Sequence, residues 1–406
     1  SALVFSGGMQ YGCSDMKENP VLLLGASVRA LAKSCHRAGF ACYGADLFAD
    51  SDTRQMGSVQ RAGSYPNGLL TTASSLPPTP WMYTGGLENH PDLVDEVSQR
   101  HTLWGNAGGV LRRVRDPMLL QRTLRAAGLN FLATALQPPT KSGQWIRKPL
   151  RSCGGTDVVL EQELDKRPVS QRSNVYWQAF VPGQPVAAIY IGNGRSAKLI
   201  GVTGQIIGAQ WTGAAQFQYA GSVGPLVPSD EVIHQLERLG DVFTGEFGLQ
   251  GIFGVDGVLG DSKFSAVEVN PRYTASVEVL ERAGTGSVVR QHAAVFGQPM
   301  GETEATQYLA GNPTRALNGK AIIFAKGDVR IGDSFPNFVA QLNAGTHEPA
   351  IADIPTPGSE IQAGQPIATV FAEGETLQEV NDHLIERAAQ LRMAIAEESI
   401  EPPTRS

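Results

Sequence analysis

Residues 250–272, QGIFGVDGVLGDSKFSAVEVNPR, constrain this chain more than any other stretch. Two β-rich runs flank Gly260–Asp261 and read as an antiparallel hairpin. Asp256 stands twelve residues before Glu268, and Glu268, Asn270 and Arg272 alternate with Val267, Val269 and Pro271. A strand sends alternate side chains to one face. Pairing across the turn would therefore set Asp256 beside Glu268 and Asn270, with Arg272 one pleat further. A solvated polar face accounts for any one of these residues alone. All four together fit better an oxygen-rich cage for a hard cation such as Mg²⁺, which takes carboxylate oxygens alongside a substrate's phosphates. Arg272 would then grip a phosphate or a developing anion through its two-pronged guanidinium.

The remainder reads as α/β. A chain of 406 residues exceeds the ~250–300 at which single cores stop growing, so two to four units are expected. Val21–Leu24, Gly25, a helix to about Arg37, Gly39 and Ala41–Ala45 read as the β-α-β opening of a parallel sheet, ending at Asp46. Ser27 reads as the cap of that helix and Arg29 as a surface residue, in preference to both facing a cleft. Residues 60–80, with Pro66, Pro77, Pro78 and Pro80, read as an irregular connection, and 130–139 as a linker. Helices are expected at HPDLVDEVSQR, at PMLLQRTLRAAGL, from about Ser229 to Phe247, over roughly Ser276–Phe296, and at Leu377–Ile395. Residues 145–207 read as strands turning at Pro182–Gly183 and Gly192–Gly194, and a Gly/Pro/Thr-rich break falls near 300–318.

Several function classes are disfavoured. The net charge of −6 with no basic block argues against nucleic acid. No apolar run approaches the ~18–20 residues of a membrane span, and no leader pattern opens the sequence. Cys13, Cys35, Cys42 and Cys153 form no CxxC pair, as expected of reduced thiols, so a cytoplasmic setting without a membrane partner is expected. The seven histidines show no zinc-ligand spacing. LLLGASVRA followed by Asp46 imitates a dinucleotide fingerprint, but Ser27 and Ala30 replace its second and third glycines.

Upstream, RKPLRSCGGTD places Lys148 at a strand end before a loop through Gly154–Gly155. Glycines let backbone N–H groups approach phosphate oxygens, and a lysine adds a mobile charge. Alone, a Gly-Gly hairpin with a surface lysine explains it equally well. Taken together, Lys148 with its loop, QAFVPG and VDGVL…AVEVNPR resemble the ATP-grasp superfamily of carboxylate–amine and carboxylate–thiol ligases over about residues 20–400. Within it the chain looks most like the predicted carboligases related to biotin carboxylase and the tyramine–glutamate ligase group.

The resemblance implies an α/β, ATP-grasp fold. A Rossmann-like pre-ATP-grasp domain would span 1–110. The ATP-grasp domain, two α+β grasping subdomains with a lid subdomain at about 138–182, would span 111–310, and a C-terminal β-rich extension with a closing helix 311–406. The implied activity is ADP-forming ligation of a small-molecule carboxylate to an amine through an acyl phosphate, with ATP and Mg²⁺ as cofactors and a homodimer as an open assembly. Glutamyl or amino-acid addition in cofactor biosynthesis is the family-level suggestion. Asp256, Glu268 and Asn270 fall where the family holds Mg²⁺, and Arg272 where it steadies the acyl phosphate. Lys148 matches the lysine on the α/β-phosphates, and Ser152, Gly154 and Gly155 the lid loop over them. Gln178, Phe180 and Val181 match the segment that reads the adenine edge. Two positions depart: Pro117 fills a slot where many relatives have lysine, with Arg115 as the candidate replacement, and Gln184-Pro185 replaces a ribose-binding carboxylate. A nucleotide-dependent oxidoreductase and a non-catalytic ATP-binding module are the alternative readings.

Overall fold

The computed structural model describes residues 3–4, 10–11, 20–139, 143–162, 174–299 and 316–398. After a short pairing of β1 (Leu3–Val4) with β2 (Gln10–Tyr11), the N-terminal part runs β3 (Pro20–Leu24), α1 (Arg29–Arg37), β4 (Ala41–Asp46), α2 (Ser51–Met56), β5 (Ser58–Arg61), α3 (Gly68–Ser75) and β6 (Trp81–Tyr83). These strands form a parallel sheet in the order β5-β4-β3-β6. Val21–Leu24 are sealed between helices on both faces, which is why they read as a continuous apolar run. The order reverses beside β3, so a crevice opens at the carboxyl ends of β3 and β6, where such sheets take ligands. Ser27 does not cap α1. Instead the buried Asp46 carboxylate accepts Val28 N–H at 2.9 Å, and it also takes Phe48 N–H at 3.0 Å and Ala49 N–H at 2.6 Å. The expected irregular 60–80 connection contains α3, whose Leu69, Thr72 and Ala73 are buried on the sheet, and the short elements α2 and β5 precede it.

Helices α4 (Pro91–Ser98), α5 (Gly108–Val114) and α6 (Pro117–Ala126) follow. Asp116 caps α6 by accepting Met118 and Leu119 N–H, and Pro117 occupies the first turn, where its missing N–H costs nothing. The presumed linker holds β7 (Thr134–Ala135), which joins β8 (Trp145–Pro149), β9 (Val159–Leu160) and β10 (Val175–Ala179) in the order β7-β10-β8-β9. Parts of the expected lid subdomain, residues 140–142 and 163–173, lie outside the described residues.

The large sheet takes in β11 (Gln184–Asn193), β12 (Ala197–Ile207), β13 (Tyr219–Leu226), β14 (Gln250–Leu259) and β15 (Phe264–Asn270), with α7 (Asp230–Phe247) before the last hairpin. Ser229 accepts Val232 N–H at the start of α7, and Gly248 closes it in the left-handed conformation. The helix expected over 276–296 is two, α8 (Ala275–Arg282) and α9 (Val288–Val295), separated where Gly284 and Gly286 take positive φ. The chain ends with β16 (Leu317–Phe324), β17 (Val329–Arg330), α10 (Phe335–Asn343), β18 (Ile351–Ala352), β19 (Glu360–Ile361), β20 (Pro366–Gly374) and α11 (Leu377–Glu398). One antiparallel sheet, β15-β14-β11-β12-β13-β16-β20-β18, runs continuously from the hairpin to the C-terminal part, while β17 and β19 pair separately. The expected break near 300–318 lies mostly outside the described residues. Among the described residues no helix is long and apolar enough to cross a membrane.

Candidate active site

A cavity of about 510 Å³ opens between the crevice of the parallel sheet, the small sheet and the large sheet. Its walls include Ser27, Lys148, Gly155, Asp256, Glu268 and Arg272. The hairpin builds one wall. The β14–β15 register pairs Asp256 with Glu268 and Gly254 with Asn270, with a bulge after Asp256. Directly opposed residues and residues two apart share one face of the pleat, so the two carboxylates and the amide lie on the same side. Asn270 is locked by both neighbours: its Nδ2 donates to Asp256 Oδ2 at 2.9 Å, and its Oδ1 accepts from Arg272 Nη2 at 3.1 Å. Gln205 Nε2, from β12, donates to the other Asp256 oxygen at 3.0 Å.

Lys148 reaches this group from β8. Its Nζ donates to Glu268 Oε2 and to Gln178 Oε1, both at 3.3 Å, and lies 5.6 Å from the centre of the Tyr176 ring. It is buried, not the surface lysine that the loop alone would allow. Burial alone would lower its pKa, but Tyr176 and Glu268 outweigh that and hold it well above the usual value. Glu268 in turn stays below the usual carboxylate range, because Lys148 and then Arg115 overcome the cost of burial.

Arg272 is anchored from the other side. Its Nη2 donates at 2.7 Å to Glu88 Oε1, a buried carboxylate between β6 and α4. Glu88 was not visible as a partner in the sequence; its only hint is a lone acid in an otherwise apolar and glycine-rich segment. The loop after β8 closes over the same space. Ser152, Gly154 and Gly155 all line the cavity, and Ser152 O accepts from Asn89 Nδ2 at 3.2 Å and Arg115 Nη2 at 3.0 Å. Gly155 has φ +77°, and a Cβ there would lie 1.9 Å from Phe217 O, so no other residue fits without moving the loop. Gln178 is fully buried and spends its side chain on Lys148 and on Val267 O at 3.1 Å. Phe180 and Val181 are not in the cavity wall; Phe180 is 41% exposed and packs edge-on against Phe217.

Two carboxylates this close share their charge unequally. Burial, then the charge of Glu268, push Asp256 up to about 7. Its pKa is raised on folding, so the folded state binds this proton more tightly than the unfolded chain. The associated stability is complete below the ordinary carboxylate pKa of ~4 and is lost as pH rises through about 7. Asp256→Asn is therefore expected to lose less thermal stability between pH 5 and pH 8 than the parent protein. Melting curves across that window check it, and parallel declines would refute the assignment.

Among the described residues no three His, Cys, Asp or Glu side chains form a metal-type group. The oxygen set is two carboxylates and one amide. That suits Mg²⁺, which commonly keeps water and uses one or two carboxylates together with substrate phosphates. The observation that favours a cation here is geometric: two carboxylates face each other across the β14–β15 pair, with the Asn270 amide beside them on the cavity wall.

Residues 114–276 match the ATP-grasp domain family. The chain is 25% identical over 247 residues to an uncharacterized protein of Methanocaldococcus jannaschii, covering 60% of this chain and 55% of that one. It thus spans about half the length of that relative. Its architecture matches the L-amino acid ligase of Bacillus licheniformis with a TM-score of 0.66 at 12% identity, over 92% of this chain and 98% of that one. Biotin carboxylase from Campylobacter jejuni matches with a TM-score of 0.65 at 13% identity, over 89% of each chain.

Proposed function

Because this chain has the ATP-grasp fold, we propose that it is an ATP- and Mg²⁺-dependent, ADP-forming ligase that joins a small-molecule carboxylate to an amine. The observation that carries this reading is the convergence of Lys148, Asp256, Glu268, Asn270 and Arg272 on one cavity under a glycine loop. Each group has work in such a reaction. Asp256, Glu268 and Asn270 would hold Mg²⁺, which when bound neutralises phosphate charge. Lys148, fixed by Glu268 and Gln178, would contact the nucleotide phosphates, and the N–H groups around Gly154–Gly155 would cover them. Arg115, tied to Ser152 beside Lys148's strand, supplies the charge that Pro117 cannot.

A substrate carboxylate oxygen would attack the γ-phosphorus of ATP, and ADP would leave with the bond's electron pair. The amine nitrogen would then attack the acyl carbon and expel inorganic phosphate, losing a proton to complete the amide. Charge neutralisation and positioning do most of the work in such transfers. Amino-acid addition, as in the tyramine–glutamate ligase group, is the substrate class this reading favours. The test is product analysis after incubation with ATP, Mg²⁺ and a metabolite extract. ADP with a new amide supports the reading. AMP and pyrophosphate, an NAD(P)H absorbance change, or ATP binding without turnover each refute it.

Lys148→Ala should raise KM for ATP and lower kcat, each by about tenfold, since a hydrogen bond to a charged group is worth ~1.5–3 kcal/mol and strengthens as charge moves. Steady-state kinetics decide it, and unchanged constants would remove Lys148 from the nucleotide site. Limited proteolysis within 150–157 should slow when an ATP analogue is added. Cleavage indifferent to the analogue would count against a closing loop.

A further inference from the structure

The same cavity has a second charged wall that the nucleotide reading leaves unused. Arg29 opens α1, Lys320 lies on β16, and Asp353 follows β18; all three face the cavity, with Ser276 and Thr369 beside them. Behind them sits Glu278 of α8, which is buried outside the cavity wall. Glu278 clasps Arg29 with both oxygens, one contact being Nη2 to Oε2 at 2.9 Å, and accepts Lys320 Nζ at 2.7 Å. The Phe371 ring lies 5.7 Å from the Arg29 guanidinium and 5.8 Å from Lys320 Nζ, and so backs both cations.

Asp353 is held with equal care. It accepts from Arg29 Nε at 3.0 Å and Nη2 at 3.2 Å. Its backbone adopts φ +55°, a conformation costly for a residue with a side chain, and Asp52 secures it by accepting the N–H groups of Asp353 and Ile354 at 2.9 and 3.0 Å. Backbone strain fixed in this way is typical of ligand clamps. Lys320 donates to Glu278 and lines the cavity with a side chain 4% exposed, and the Asp353 side chain on the same wall is 22% exposed.

The charged groups that face the cavity on this wall are of both signs, the cations Arg29 and Lys320 beside the anion Asp353, and that bears on what they can receive. A lone anion on Lys320 would sit beside Asp353, and a lone amine on Asp353 would sit beside Arg29 and Lys320. Either leaves one charge facing a like charge on a mostly buried wall, which is costly. A group carrying both charges satisfies both halves. We propose that this wall is the recognition subsite for an α-amino-acid zwitterion, its carboxylate against Lys320 and Arg29 and its ammonium against Asp353. Tyr219 lines the same cavity, its hydroxyl 2.7 Å from Ser222 Oγ. The proposal deepens the ligase reading and rests on it for the amino acid's fate, but not for its binding.

Calorimetry with each of the twenty common amino acids, with Mg·ADP present, tests it without requiring turnover. At least one should bind, and its deaminated acid and decarboxylated amine should each bind at least tenfold more weakly. Lys320→Met should weaken that amino acid at least tenfold, and the isosteric Asp353→Asn likewise; melting temperatures verify that both variants are folded. No binding by any amino acid, equal binding of the deaminated acid, or affinity indifferent to both variants would overturn the proposal. ADP release assayed separately keeps the two ideas apart. Turnover without amino-acid binding sinks only the subsite, and binding without turnover sinks only the ligase.

Discussion

Glu268→Gln should lower ADP release at saturating Mg²⁺ by at least about 100-fold while leaving the protein folded. The substitution is isosteric, and its amide oxygen can still accept from Lys148, so the small sheet stays docked on the hairpin. What disappears is the negative charge that would share a cation with Asp256 across the β14–β15 pair. The parent site carries an Asp256 carboxyl pushed up to about 7, whereas in the variant that carboxyl should ionise more easily, its like-charged neighbour gone. Thermal stability near pH 8 should fall as well, because the buried Lys148 loses its counter-charge, with the relief of Asp256 offsetting only part of that loss. Asn270→Ala should be as inactive, because it releases both Asp256 and Arg272 from one amide. Wild-type rates from either folded variant would sink the metal assignment.

Half of this wall could be read in the primary structure because its residues are neighbours by period and by turn. The two-residue strand period and the turn near Gly260 place Glu268 opposite Asp256, and the register agrees. Ser229 and Gly248 likewise mark the ends of α7 with local chemistry. The second wall had no such signature. Glu278 lies 249 residues from Arg29, and Asp353 lies 324 residues from it, so nothing local announces their meeting. Arg29 looked like an exposed arginine on the first turn of a helix, and only the arrival of α8 and the C-terminal strands buries it. Ser27 failed as a cap because α1 starts one residue later, with Val28 flanking it, and the N–H of Val28 goes to Asp46, eighteen residues away. The proline-rich 60–80 stretch hid α3 because prolines flank that helix without entering it, and propensity alone does not see the sheet that buries its apolar face. The α8–α9 break is set by glycines at positive φ, a conformation that a helical hydrophobic period masks.

Arg272 should be needed for the acyl phosphate itself rather than for ATP binding. Its guanidinium is pinned between Asn270 Oδ1 at 3.1 Å, Glu88 Oε1 at 2.7 Å and, through Nη1, Tyr273 O at 3.0 Å, while its Nε is buried with no partner among the described residues. A fork held this rigidly, with a donor unspent, suits an oxyanion that exists only as the phosphoryl group moves. Interactions that strengthen only in the transition state appear in kcat and leave KM for ATP nearly unchanged. Arg272→Lys keeps the charge but loses the fork and the reach to Glu88, so kcat should still fall by about 100-fold. Glu88→Gln should give a smaller loss, since the guanidinium survives and only its anchor weakens. With the acid substrate present and the amine withheld, hydroxylamine should trap a hydroxamate and release ADP in the parent protein, and far less of both in Arg272→Lys. If the lysine variant forms hydroxamate at the parental rate, the guanidinium serves only to bridge the hairpin to Glu88, and the acyl-transfer role must pass to another group.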